Sequence, residues 1–213
     1  MQPIGILGGT FDPLHKGHVS IANQACELLS LQSISVVPVN IPPHKYMPVA
    51  GTEHRLNMIN AIINQYDIMS LDSRELDRNE ISYTIDTLRS FREDYKKHSL
   101  CLLMGRDAFN QIDSWHQWEA LLNYAHIVVA ERQAQETTLS RTLHHWIRKH
   151  VTDNVKTIRE SLFGHIYFMQ TTLIDISSSL IRESIKAGKK LDDYLFPETI
   201  DYINQHQLYQ GKE

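Results

Sequence analysis

Short apolar runs alternate with segments of helical period along nearly the whole chain, and this alternation constrains the fold more than any other feature. The runs lie at Pro3–Leu7, Ile34–Pro38, Ile68–Leu71, Leu100–Met104, Ile127–Ala130 and Ile166–Met169. Between them, helical patterns fall near Gly17–Leu29, Glu53–Tyr66, Tyr83–Lys96, Trp115–Leu122 and Leu139–Lys149. Val19, Ala22, Ala25, Cys26 and Leu29 keep a helical period, which lays one face of the first helix on a sheet. Strand–helix alternation of this kind predicts an α/β fold: a doubly wound, mainly parallel sheet flanked by helices, with the first strand central. A length of 213 residues suits one domain over 1–213. A small C-terminal helical segment, about 177–209, is expected to close it, with Pro197 in the first turn of its last helix. The polar stretch Glu131–Thr138 reads as a surface loop.

In such sheets ligands bind beyond the carboxyl ends of the strands, where the winding reverses. The residues after Leu7, Pro38, Met104 and Met169 therefore converge on one crevice. The first strand runs into Gly8-Gly9-Thr10-Phe11-Asp12-Pro13-Leu14-His15-Lys16-Gly17-His18. Gly8 and Gly9 let a bulky anion approach the main chain. The helix starting near Gly17 would turn its free N–H groups toward the same anion, and His15 and His18 can point at one ligand. This is neither a Gly-x-Gly-x-x-Gly fingerprint nor a P-loop.

Three other segments reach the crevice. Pro42-Pro43 stiffens the chain and delivers His44 and Lys45 after the second strand, Lys45 as a mobile charge for phosphate. Ser177-Ser178-Ser179 with Arg182 one turn later is read as a second phosphate cradle. Gly105 and Asp107 follow the fourth strand, where a carboxylate can accept from ribose hydroxyls. Trp118 should pack with Leu121 and Leu122 as core, leaving Trp115 near the crevice to stack on a flat ring. His144, His145 and His150 read as a solvated helix face rather than a metal set.

Charge and composition remove other classes. A net charge of −4 argues against a general nucleic-acid binder. No apolar run approaches the roughly 20 residues that span a bilayer, and the chain enters its first strand without a charged leader. Cys26 and Cys101, far from any Cys-x-x-Cys spacing, read as small buried hydrophobes in a reducing compartment. A soluble cytoplasmic protein is expected, with no membrane partner, as a monomer or a homo-oligomer. Cationic and hydrogen-bond-donating groups without a nucleophile suit phosphoryl or nucleotidyl transfer, with Mg²⁺ neutralising the triphosphate.

Taken with Pro42-Pro43-His44-Lys45, Ser82-Tyr83-Thr84, Trp115 and Ile176-Ser177-Ser178-Ser179-Leu180-Ile181-Arg182, the opening motif resembles the bacterial nicotinate mononucleotide adenylyltransferases from Gly5 to about Tyr209. The opening motif alone specifies only the wider nucleotidyltransferase superfamily. The resemblance implies a Rossmann-like domain that transfers AMP from MgATP to nicotinate mononucleotide, giving nicotinate adenine dinucleotide and pyrophosphate without a covalent intermediate. It implies catalytic roles for His15, His18, Lys45 and Arg182, with Gly8, Gly9, Thr10, Phe11, Ile176, Ser178 and Ser179 on the ATP side. Gly105 and Asp107 would hold the adenosine ribose. Asn40, His44, Lys45, Thr84, Trp115 and His116 would hold the mononucleotide, with no protein metal site beyond Mg²⁺ carried on ATP. Amide dipoles aimed at the ring carboxylate would favour the acid over the amide.

This sequence departs from the family at Val39, where an asparagine is common and Asn40 can substitute, at Ser179 in place of threonine, and at Glu131-Arg132-Gln133 in place of Arg-Pro-Gly. A phosphopantetheine adenylyltransferase is the nearest alternative, and a non-catalytic nucleotide-binding regulator is the alternative from another class.

Overall fold

Runs of mainly apolar residues suit strands covered by helices, and the computed structural model pairs six of them. It describes residues 2–42, 47–78, 81–131, 139–172 and 176–211. Strands β1 (Ile4–Gly9), β2 (Ser33–Pro38), β3 (Met69–Leu71), β4 (Leu100–Gly105), β5 (His126–Glu131) and β6 (Ile166–Gln170) form one sheet ordered β3-β2-β1-β4-β5-β6. Every pairing is parallel. The sheet is an open, doubly wound α/β fold, and the winding reverses between β1 and β4. Side chains alternate between faces: Ile4 and Ile6 enter one core with Leu100, Leu102 and Met104, while Leu7 enters the other with Cys101 and Leu103.

Helices α1 (Lys16–Leu29), α2 (Thr52–Ile63), α3 (Thr84–Asp94), α4 (Arg106–Phe109), α5 (Arg141–His150), α6 (Val155–Glu160), α7 (Ser178–Lys186) and α8 (Pro197–Gln205) cover the sheet and its C-terminal rim. A third apolar cluster, with Met58, Ile181, Leu195, Ile203 and Tyr209, joins α2 to α7 and α8. Fully burying each such side chain contributes about 1.5–3 kcal/mol. No helix among the described residues is long and apolar enough to cross a membrane.

The expected helix at Trp115–Leu122 does not form. Two 3₁₀ turns, Ile112–Ser114 and Trp118–Asn123, take its place, separated by an extended Trp115 and a left-handed Gln117 (φ 52°). Trp118 is only half-buried, its ring edge-on to Trp146 at 4.8 Å. Cys26 is half-buried rather than core, whereas Cys101 is fully buried. The second helix ends at Ile63 rather than Tyr66. Glu131 belongs to β5, and 132–138 lie outside the described residues.

Candidate active site

Strands β1 and β2 leave the sheet side by side, with Gly9 paired to Pro38 and Val39 N–H donating to Gly9 O at 2.9 Å. Gly8 is exposed with open space where a side chain would stand. Phe11 turns the chain back in a left-handed conformation (φ 50°) and is buried. Beneath both exits lies Arg55 of α2, 1% exposed. Its Nη1 donates to Thr10 O (2.8 Å) and Val39 O (2.9 Å), so one guanidinium clamps the two loops, and its Nε has no partner. Burial pushes the Arg55 guanidinium below its ordinary value, an effect opposed by the charge of Asp12.

Helix α1 begins against this turn, with His15 as its N-cap. The His15 and His18 rings stack at 3.7 Å between centroids, and His15 N–H donates to His18 Nδ1 at 3.3 Å. Phe11 stands edge-on to His18 at 5.0 Å. His15 is 5% exposed, its Nδ1 is buried without a hydrogen-bond partner, and burial lowers its pKa to about 4. Gly17 makes this packing possible. A Cβ there would stand 3.0 Å from His15 Nδ1 and 3.1 Å from Ile176 Cγ2. The helix start is less open than the sequence suggested, because Lys16 N–H donates to Tyr194 O and His18 N–H to His15 O. The Lys16 ammonium is also engaged, with Asp192 O.

Helix α7 closes the same side. Ser177 caps it by accepting from Leu180 N–H, so the plain capping reading accounts for that serine. Ser178 Oγ donates to Pro13 O at 3.0 Å. Arg182 donates from Nη1 to Asp12 O (2.7 Å) and from Nη2 to the exposed Ser179 Oγ (3.2 Å). The three-serine segment, Arg182 and the β1 turn therefore form one assembly, with Ile176 against Gly17.

Across the β2 exit, Ile41 and Ile81 form a bridge, and Asn40 N–H donates to Ser82 Oγ at 3.3 Å. The Asn40 amide nitrogen donates to Arg78 O at 2.9 Å. This brings Tyr83 and Thr84, at the start of α3, beside the β2 loop. His116 packs on the Tyr83 ring at 4.5 Å, and half-buried Trp115 rests on the core beneath it. Glu75 lies buried behind α3, accepting from Thr87 Oγ1 at 2.6 Å, and burial pushes its carboxyl up. His44 and Lys45, like Arg132, lie outside the described residues.

At the end of β4, Gly105 caps α4 and Asp107 is exposed in its first turn. Arg106 joins the rim by donating to Glu131 Oε1 at 2.8 Å, with its guanidinium 5.0 Å over the Phe168 ring. Among the described residues no three His, Cys, Asp or Glu side chains group as a metal set. The crevice offers N–H, hydroxyl and guanidinium donors instead, which suit phosphate oxygens.

Sequence reasoning passed over Asp12, Arg55, Glu75 and Tyr209. For Arg55 a signal existed: it shares a helix face with buried Met58, Ile59 and Ile62, where an arginine must have partners. For the others no local pattern marked them.

Comparison with known proteins fits this geometry. The family model described as cytidylyltransferase-like matches residues 6–184. A probable nicotinate-nucleotide adenylyltransferase of Aeromonas salmonicida is 40% identical over 98% of this chain and 98% of its own length. One of Pseudoalteromonas atlantica is 39% identical over 97% and 94%. Among solved structures, Plasmodium falciparum nicotinic acid mononucleotide adenylyltransferase complexed with NaAD superposes with a TM-score of 0.75 at 23% identity, covering 100% of this chain and 99% of that one.

Proposed function

The chain belongs to the cytidylyltransferase-like family and, within it, to the nicotinate-nucleotide adenylyltransferases, and from that premise we propose that it joins AMP from MgATP to nicotinate mononucleotide. A phosphate oxygen of the mononucleotide attacks the α-phosphorus. The bond from that phosphorus to the bridging oxygen breaks, and pyrophosphate leaves with the electron pair. Nicotinate adenine dinucleotide is the other product, for use in NAD synthesis. The two substrates meet over the β1 and β2 exits.

The observation that carries this reading is the stacked His15–His18 pair beside open Gly8 and beside an Arg182 already held by Asp12 O. With its pKa lowered to about 4, His15 is neutral at pH 7 and acts as a hydrogen-bond donor to phosphate oxygen rather than as a fixed charge. Positive charge comes from Arg182 and Lys45. Fixed donors aimed where charge builds up cost no reorganisation during the reaction, which is how such sites lower barriers. Mg²⁺ would come with ATP as part of the substrate and would supply positive charge against the phosphates, without ligands from the described residues. Ser178 and Ser179 support the triphosphate side, and Gly105 and Asp107 the ribose. Asn40, His44, Thr84, Trp115 and His116 take the mononucleotide, with the Thr84 N–H at the first residue of α3 directed to the ring carboxylate.

The test is pyrophosphate release with MgATP and, in parallel, nicotinate mononucleotide, nicotinamide mononucleotide and phosphopantetheine. Fast release with the first alone supports the reading. Release with phosphopantetheine alone, or ATP binding without product, replaces it with the sister activity or with a binding regulator.

A further inference from the structure

Asp12 is 2% exposed, and its carboxylate is shared by three parts of the chain. Oδ1 accepts from Tyr209 OH (2.7 Å) and Ala50 N–H (3.1 Å), and Oδ2 accepts from Val49 N–H (2.7 Å). Arg182 Nη1 lies 3.7 Å from Oδ2 while donating to the same residue's main-chain oxygen. Asp12 thus stands between Arg182 on the triphosphate side and the 47–50 segment, a few residues along the chain from Lys45, on the mononucleotide side.

Tyr209 enters this arrangement from far along the chain. Its ring is 6% exposed and packs with Ala50, Met58, Ile181, Leu195 and Ile203, so the aim of its hydroxyl is set by the core. The backbone around it is strained: Gln207 (φ 51°) and Tyr209 (φ 63°) are both left-handed without being glycine, as is Phe11 (φ 50°) beside Asp12. Such conformations persist only where surrounding contacts hold them, and they gather at functional sites.

We propose that Tyr209 is a positioning residue for adenylyl transfer: by anchoring Oδ1 of Asp12, its hydroxyl fixes the carboxylate so that Oδ2 does not draw Arg182 away from the substrate phosphates. Without the hydroxyl, Oδ1 of the charged Asp12 keeps only Ala50 N–H, the carboxylate is free to turn, and Arg182 Nη1 stands 3.7 Å from Oδ2. Closing the 3.7 Å gap turns the guanidinium toward the protein and loosens the hold on 49–50. Buried polar networks transmit such changes because every member is satisfied only in one arrangement. The inference rests on the adenylyl-transfer reading above.

The test is Tyr209→Phe, which keeps the packed ring, made in the wild-type chain and in an Arg182→Gln background. Pyrophosphate release gives kcat and both KM values, and thermal unfolding runs beside it. Y209F is expected to lower kcat about ten-fold with each KM within about two-fold, and to melt within about 3 °C of the wild type. In the Arg182→Gln background the same change should alter kcat by less than about two-fold, because the residue it acts through is gone. Wild-type kcat in Y209F, or the same fold-loss in both backgrounds, overturns the positioning role. Should Y209F lose its fold, Asp12→Asn serves instead and must show the same dependence on Arg182. A wild-type chain inactive with these substrates sinks the adenylyl-transfer reading and this inference together, whereas an active wild type with an unaffected Y209F sinks only the inference.

Discussion

At the N-terminal rim of the sheet, His126 is fully buried and both its ring nitrogens are engaged. Nδ1 accepts from His165 N–H at 3.2 Å, and Nε2, which then carries the proton, faces Ser161 O at 3.0 Å. At the C-terminal rim, His15 is buried almost as deeply, yet its Nδ1 has no partner and its ring stacks on a second imidazole. Burial lowers both pKa values to about 4. The arginines repeat the contrast. Arg92 donates to the carbonyls of Tyr95, His98, Tyr124 and Leu162 in the loops entering β4, β5 and β6. Arg55 donates to the carbonyls of Thr10 and Val39 in the loops leaving β1 and β2, with its Nε unpaired. Burial and perturbed titration therefore do not separate His126 from His15 or Arg92 from Arg55; completeness of hydrogen bonding does, although at the N-terminal rim the buried His98 Nδ1 also lacks a partner. A buried polar atom without a partner costs about 1–3 kcal/mol, and His15 Nδ1, which faces Gly17, is such an atom.

The sharpest way to break this contrast is to remove each histidine. His15→Ala should lower kcat about 10³-fold with little change in melting temperature. His126→Ala should reverse the pattern, losing about 2–3 kcal/mol of stability in urea unfolding while the folded fraction keeps its kcat. Equal losses of activity from the two would erase the distinction.

Acid sharpens it next. In the unfolded chain both histidines bind a proton near their ordinary 6.5, whereas in the fold they do so only at about 4. Stability is thus fully present above about pH 6.5 and is lost as pH falls toward 4, by about 3 kcal/mol for each histidine. Urea midpoints measured at pH 7 and at about pH 4.5 should differ strongly in the wild type and roughly half as much in His126→Asn. A saturating ATP analogue should flatten only the share that belongs to His15, because phosphate stabilises the protonated ring.

The glycines come third. Gly17→Ala pushes on His15 and Ile176 and should lower kcat about ten-fold with little loss of stability. Gly164, at φ 105° beside His165, should give the opposite result on changing to Ala: about 1–2 kcal/mol lost and kcat unchanged.

The smallest effects are expected at the serines. Ser178→Ala frees Pro13 O and should change kcat about two- to three-fold. Ser99→Ala, which removes a buried 2.6 Å bond to Ile158 O, should cost about 1 kcal/mol of stability and leave kcat alone. A kcat loss at Ser99 as large as that at Ser178 would count against the assignment of the rims.

All six strands were legible in the sequence to within two residues at each end, because each is a short, mainly apolar run between helical patterns, and the central ones are buried on both faces. The Trp115–Leu122 stretch was not, since its apolar residues have helical spacing while Gln117 takes a left-handed conformation that no local signal demanded. That the glycine turn, His15, His18 and Arg182 meet at one crevice was legible because each belongs to a short motif at a strand or helix end, and the structure brings them together. Asp12 sat within the first motif and still passed unnoticed, because its meaning lies in partners at Val49, Ala50 and Tyr209.

Local pattern therefore decided the order of strands and helices and the place of the crevice at the switch between β1 and β4, and it is the ground for the phosphate chemistry proposed at its mouth. Periodicity and turn residues act over a few neighbours and need no folded context. The buried half of the site was decided only in three dimensions. Arg55 meets Thr10 and Val39, and Asp12 meets Tyr209 from 197 residues away, only after the sheet has brought the strand exits together. A buried charge takes whatever partners the packed chain brings within hydrogen-bond reach, and those distances do not exist along the sequence.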